Sequence, residues 1–389
     1  MHSTTQPYVL VATLVMALTL VARDSGATAR IETVPGMPPV THPANLYSET
    51  AADKLSPALA NVPARVYVPN VKSDEVYVID PATFKVIDRF KVGKNPQHVV
   101  PSWDLTTLWV TNNAEGRTDG TLTPIDPMTG KPGKDVLIDD PYNMYFTPDG
   151  KSAVIVAEAM KRLDFRDPKT MALQGSVSAP KCGGINHGDF SIDGRYLVMT
   201  CEYVGRLVKI DWRDRKVLGY LTLPDGGIPQ DVRVSPDGAI FYVADLKAGG
   251  VHLIDGDGFK VVGFIKTGVG THGLYPSRDA TKLYVANRGF SRIGGKPGVG
   301  KGSVSVIDFA TRSVVATWPI PTAGSPDMGN LSVDGKQLWV SGRYDRVVYV
   351  IDTTSGELLK TIPVGHEPHG LTVWPQPGRY SLGHTGNMR

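Results

Sequence analysis

One segment recurs seven times along this chain. It reads PQHVVPSWD from 96, PYNMYFTPDG from 141, INHGDFSIDG from 185, PQDVRVSPDG from 229, THGLYPSRD from 271, PDMGNLSVDG from 326 and PHGLTVWPQPG from 368. The copies start 42 to 45 residues apart, except for one interval of 55. A fixed period constrains a fold more than any local motif, because each unit must be one supersecondary element that buries its apolar face against its neighbours. A β-rich run follows the segment, as in TTLWVTN, GRYLVMTC, AIFYVAD, TKLYVAN and KQLWVSG; a VxVID-type run and a fourth such as KVIDRFKV or KVVGFIKT come next. Alternating apolar residues bounded by Asp-Gly turns fit half-buried antiparallel strands joined by hairpins. Four strands in roughly 43 residues is the dimension of a propeller blade. The chain is therefore predicted to be all-β, a seven-bladed β-propeller.

The two ends of the chain are out of phase in a complementary way. ARVYVPN, EVYVID and FKVIDRFKV, within 64–92, supply three outer strands before any first strand has occurred. The last first strand, at 369–374, follows every outer set. Pairing the N-terminal outer strands with the C-terminal innermost strand completes a seventh blade and closes the ring, which leaves few free sheet edges.

The YVxN…VxVID…xVGxxPxGLxxxPDG cadence resembles the YVTN-repeat (YncE-like) family of seven-bladed β-propellers over residues 64–378, and ARVYVPN, PQHVVPSWD and PQPGRYSLGHTGNMR resemble an exported bacterial subgroup of it. The resemblance implies a fold. It implies no single activity, so function has to come from a site.

Outside the ring, Tyr8 to Ala22 is an apolar run of fifteen followed by Ala27-Thr28-Ala29, a small-x-small cleavage pattern. Residues 1–29 read as a signal peptide, and the run is short for a hydrocarbon core about 30 Å thick. The expected location is secreted or periplasmic, with no membrane insertion once the signal is removed. Residues 30–63 form an N-terminal arm with ADKLSPALA as a short helix, and 379–389 a C-terminal tail along the outside of the closing blade. The only cysteines, Cys182 and Cys201, are an even pair that an exported protein can oxidise. With 41 basic against 38 acidic residues and no Lys/Arg run, the footprint of a nucleic-acid binder is missing. A monomer is expected.

In such a blade the loop entering the innermost strand and the loop joining strands two and three share one face, here called the top. The residues opening the innermost strands surround the channel mouth: Gln97/His98, Tyr142/Asn143, Asn186/His187, Gln230/Asp231, His272/Gly273, Asp327/Met328 and His369/Gly370. Four histidines in alternate blades can converge on one axis. His98, His187, His272 and His369 are thus candidate ligands for one divalent transition metal, Fe, Cu or Zn, since neutral imidazoles are their commonest ligands. The competing reading is a water-filled polar mouth, and His98 and His187 lie one register position later than the other two.

The ends of strand two add Asn112, Glu158, Glu202, Asp245, Asn287, Arg288 and Arg343 on the same face. Carboxylates and guanidinium groups facing imidazoles suit acid–base work and anion capture. The candidate catalytic set is His98, His187, Glu202, His272, Arg288 and Arg343. The long interval places NRGFSRIGGKPGVGKGS above this mouth as a Gly/Lys lid; it lacks the Ser/Thr and helix of a phosphate loop. His252 on a strand, His366 in a loop and His384 in the tail read as structural or solvent-exposed. The favoured function is a propeller binding a small-molecule ligand at the top mouth, with a divalent metal. The alternatives are an enzyme of lyase/lactonase or metal-dependent oxidase type, and a scaffold for a protein partner.

Overall fold

The computed structural model describes residues 1–3, 30–321 and 323–389. The apolar run and cleavage pattern read as a signal peptide lie outside the described residues. Among those described, no helix is long and apolar enough to cross a membrane.

Seven antiparallel sheets stand around one axis. Their innermost strands, in chain order, are Pro96–Pro101, Pro141–Phe146, Ile185–Phe190, Pro229–Val234, Thr271–Pro276, Pro326–Leu331 and Thr372–Trp374. The last belongs to a sheet whose other strands are Arg65–Asn70, Glu75–Asp80 and Lys85–Lys91, with Arg65 opposite Trp374 and Tyr67 opposite Thr372. In the blade that begins at Pro96 the outermost strand is broken into Lys131–Pro132 and Val136–Asp139, both paired with Asp119–Asp126.

The recurrent Ser-x-Asp segment has a local cause. Ser102, Thr147, Ser191, Ser235, Ser277 and Ser332 each donate to the Asp two residues on, and each accepts the backbone N–H five residues on. One side-chain-locked turn thus sets the hairpin between strands one and two in six blades. Strands one and two carry fully buried Val, Ile, Leu and aromatic residues that interleave between neighbouring blades, whereas the outer strands alternate between half-buried and exposed. That gradient is what a radial stack of twisted sheets needs, with its packed core near the axis.

Near the axis, side chains bind one innermost strand to the next. The Asp189 carboxylate accepts from Val234 N at 3.3 Å and Asp231 from Leu274 N at 3.0 Å; the Tyr145 and Tyr275 hydroxyls accept from Gly188 N at 2.9 Å and Gly329 N at 2.7 Å. Backbone groups that would be orphaned where strands splay apart are satisfied this way.

Both chain ends close the lower face, and here two expectations are corrected. ADKLSPALA forms only a 3₁₀ turn at Pro57–Leu59; a second lies at Ser48–Thr50. Pro at 57 favours the first turn, and four residues of regular helix cannot follow before Asn61-Val62-Pro63. The tail does not run along the outside of the closing blade. It turns beneath the channel and is buried: Phe146 N donates to Leu382 O at 3.0 Å, His384 N to Met144 O at 2.8 Å, and Arg389 pairs with Asp189 at 2.6 Å. An exposed course would have left Tyr380, Leu382 and Met388 in water, and the channel offers them apolar cover.

Candidate metal centre

The entry to the innermost strands is irregular by construction. Register shifts interrupt the pairing with strand two between Pro96 and His98, Ile185 and Gly188, Pro229 and Val232, Thr271 and Leu274, and Pro326 and Gly329. A bulge takes residues out of the ladder and re-aims their side chains. Asn186, His187, Asp231, His272, Asp327 and Met328 all lie in these interruptions, so their side chains reach the axis despite different positions along the strands.

The structure brings the four candidate histidines together. The ring centroids of His98 and His369 are 4.8 Å apart, those of His98 and His187 5.4 Å, and those of His187 and His272, and of His272 and His369, 5.9 Å. None is in a water-filled mouth: all four are at most 1% exposed. Gly370 makes this packing possible, since a Cβ there would stand 2.2 Å from the His98 ring.

A fifth imidazole was missed. His384 rises from the tail into the same cluster, 5.2 Å from the His98 ring and 5.0 Å from that of His187, fully buried. It is neither solvent-exposed nor remote. The turn presenting it needs unusual backbone: Gly383 has φ +99°, His384 φ 53° and Gly386 φ +115°. A Cβ on Gly383 would come within 2.5 Å of Met144 O. The signal in the sequence was the pair of glycines bracketing His384-Thr385, which lets a chain make a tight re-entrant turn.

Two sets of potential ligand atoms result, each within 4.8 Å: His98, His187 and His384, and His272, Asp327 and His369. Hydrogen bonds fix much of their protonation. His98 Nδ1 donates to Tyr142 O at 3.0 Å and His187 Nδ1 to Asn186 Oδ1 at 3.1 Å. In the neutral rings both Nε2 atoms then carry lone pairs, and they face one another at 3.4 Å. Two lone pairs at that distance repel, whereas two nitrogens each about 2.1 Å from one tetrahedral ion stand about 3.4 Å apart. His384 Nδ1 accepts from the Asn143 amide at 3.0 Å, leaving its Nε2 at 3.4 Å from Asp231 Oδ1. An ion taking His384 Nδ1 competes with that amide.

The second set is more polar. Asp327 Oδ1 accepts from Arg288 Nε and lies 3.2 Å from His272 Nδ1; Oδ2 is 3.6 Å from both His369 Nε2 and Arg343. The Met328 thioether is 2.9 Å from His272 Nδ1. Both ring nitrogens of His369, the Nε2 of His384 and the Oδ2 of Asp327 are buried without a hydrogen-bond partner. Burial pushes all five imidazoles well below the usual histidine range; for His272 and His369 nearby Arg288 and Arg343 add to the effect. The cluster is therefore neutral, the state in which imidazole binds metal.

Above it, Glu202 accepts from Asn186 Nδ2 at 2.7 Å and from Gln230 Nε2 at 2.9 Å, so a chain Glu202–Asn186–His187 links the mouth to the cluster. Burial raises the Glu202 carboxyl and raises Glu158 strongly, with the Glu202, Asp140 and Glu115 carboxylates adding to the effect on Glu158; Tyr203 donates to Glu158 at 3.2 Å and opposes it. Asn112, Asp245 and Asn287 are instead braces inside their own blades: Asn112 bonds Thr123, Asp245 bonds His252, and Asn287 bonds Ser305. The segment 289–301 leans onto the rim of the next blade, where Gly294 N donates to Tyr344 OH and Gly298 N to Asp345.

A family model described as YNCE-like beta-propeller matches residues 23–377. No curated protein matches the chain. Among solved structures, the Pseudomonas aeruginosa periplasmic gluconolactonase PpgL is 20% identical with a TM-score of 0.65, over 81% of this chain and 99% of that one. Kuenenia stuttgartiensis hydrazine synthase is 18% identical, TM-score 0.58, over 71% and 88%. Dihydro-heme d1 dehydrogenase NirN in complex with DHE is 17% identical, TM-score 0.58, over 80% and 75%. Likeness at these identities speaks to the fold alone.

Proposed function

We propose that this chain, which belongs to the YNCE-like β-propeller family, is an exported protein that holds a transition-metal ion on the imidazoles of its channel and binds a small ligand over that ion from the top mouth. The observation that carries the reading is the pair of Nε2 lone pairs of His98 and His187 facing each other at 3.4 Å inside a fully buried nest of five neutral histidines. Buried polar atoms are hydrogen-bonded as a rule, and each exception needs an explanation. A cation shared by these nitrogens supplies one. His98 and His187 are the core ligands and His384 completes their set, with His272, Asp327 and His369 as the neighbouring set. Imidazoles with a thioether at the margin and one arginine-bound carboxylate make a donor set suited to copper, whereas a site for magnesium or calcium would be built of oxygens. Arg288 and Arg343, both paired with Asp327, and Glu202, bonded to Asn186, are the groups proposed to meet an incoming ligand. Export is supported by the apolar N-terminal run and by the Cys182–Cys201 disulfide.

Elemental analysis of protein purified without chelator tests this. About one equivalent of a transition metal is expected in the native chain, and less than a tenth of that in the His98→Ala/His187→Ala double variant. A metal-free native protein that takes up neither copper nor zinc sinks the proposal.

A second reading has its own observation. Burial raises the carboxyls of Glu158 and Glu202, and Glu202 reaches His187 through Asn186, the parts of a general acid–base enzyme. It requires lactone or ester turnover by metal-free protein that disappears in Glu202→Gln.

A further inference from the structure

The lower end of the channel carries a second concentration of charge that the metal centre does not use. Arg233, Arg278 and Arg389 converge on a cavity of about 40 Å³ between the arm, the tail and three innermost strands, open on one side and also lined by Asn330, Gln376 and Asn387. Two of these guanidinium groups are matched by buried carboxylates: Arg233 by Asp231 at 2.7 Å and Arg389 by Asp189 at 2.6 Å. Arg278 is not. It donates to the carbonyls of Ser332 and Leu331, both at 3.2 Å, and has no ion-pair partner among the described residues. Burial pushes it down to about 10, which still leaves it cationic at neutral pH.

Asn387 is the second observation. Its side chain lines the cavity at 3% exposure, and both its amide nitrogen and its amide oxygen lack a partner. Arg278 has no carboxylate in contact, Asp334 acting on it only from a distance, and the orphaned amide donor of Asn387 points to an acceptor that the protein does not supply. A water needs about 10–15 Å³ of such space, so the volume suits a group of a few heavy atoms and excludes a drug-sized ligand. Guanidinium forks match oxyanions, and among these the tetrahedral ones fill a compact space evenly.

We infer that the cavity under the tail is a binding site for a tetrahedral oxyanion, a phosphate group either free or borne by a small molecule, held by Arg278 with Arg233, Arg389 and Asn387. The site is independent of the metal reading. Its residues come from the lower ends of the strands and from the tail.

Titration calorimetry on the full chain tests it, with inorganic phosphate and glycerol phosphate as probes and chloride at matched ionic strength as the blank. Saturable one-to-one binding of phosphate is expected, weakened at least tenfold in Arg278→Gln, with the metal content of that variant unchanged. Tighter binding of glycerol phosphate identifies a phosphate borne by a small molecule, and tighter binding of inorganic phosphate identifies the free ion. No saturable heat from either probe, or weakening of less than tenfold, overturns the inference. Should Arg278→Gln fail to fold by circular dichroism, Asn387→Leu is judged by the same tenfold criterion.

Discussion

Whether the five channel imidazoles are neutral can be settled by how stability changes with pH. An alternative assignment exists for two of them: His369 lies 3.6 Å from Asp327 and His384 lies 3.4 Å from Asp231, so each could instead be a protonated partner in an ion pair. The two assignments give opposite signs. A histidine held neutral in the fold by burial has a folded pKa below its unfolded value of about 6.5, so the unfolded chain binds the extra proton as pH falls. Its contribution is complete above pH 6.5 and is lost below it. At pH 5.5 that loss is about 1.4 kcal/mol for each imidazole that stays neutral. The perturbation is the His369→Gln/His384→Gln variant, compared with the native chain as chelated, metal-free protein. Buried Glu158, Glu202 and Asp140, whose carboxyls are raised, pull the other way but are common to both proteins and cancel. Denaturant unfolding at pH 8.0 and 5.5 should show the variant losing about 2.8 kcal/mol less than the native protein over this interval. Equal losses, or a larger loss in the variant, would mean that these rings are cationic in the fold and unfit as ligands, refuting the neutral nest.

Three further outcomes follow from the packing. Replacing Cys182 and Cys201 by Ser opens a loop with a sequence separation of 19 and should lower unfolding stability by about 3 kcal/mol, read from denaturant midpoints. Gly383→Ala combines a left-handed backbone with a Cβ within 2.5 Å of Met144 O, so about 2 kcal/mol of destabilisation is expected together with weaker metal retention in a chelator competition. Arg288→Met leaves Asp327 buried without its strongest partner and should cost about 3 kcal/mol; adding Asp327→Asn should recover most of it, and a double-mutant cycle without coupling would contradict the pairing.

The period of the repeat made the ring legible because one turn chemistry, the Ser/Thr-x-Asp lock, is written into six blades and fixes where each first strand ends. The channel positions of His98, His187, His272 and His369 were legible for the same reason, as a position in a repeat is a position on the circle. Their depth was not. Burial depends on how far the bulges at the strand entries turn each ring toward the axis and on Gly370 yielding space to the His98 ring, and both are contacts between blades rather than features of one segment. His384 escaped because it lies outside the repeat. Its place depends on where the tail goes after the last strand, a long-range choice decided by contacts such as Arg389 with Asp189 and Asn143 with His384. Asp327 stood among the mouth residues, but its engagement by Arg288, Arg343 and two imidazoles at once is a property of three adjacent blades that no single segment encodes.

X-ray absorption at the metal edge of protein isolated without chelator reads the ligands themselves. Three or more imidazole nitrogens at about 2.0–2.1 Å, with the multiple scattering of the rings, are the expected first shell, and one shell member should be lost in His384→Gln. A shell of oxygen donors alone, or a spectrum unchanged when His98 and His187 are both replaced, would place the ion elsewhere and leave the buried histidines as packing.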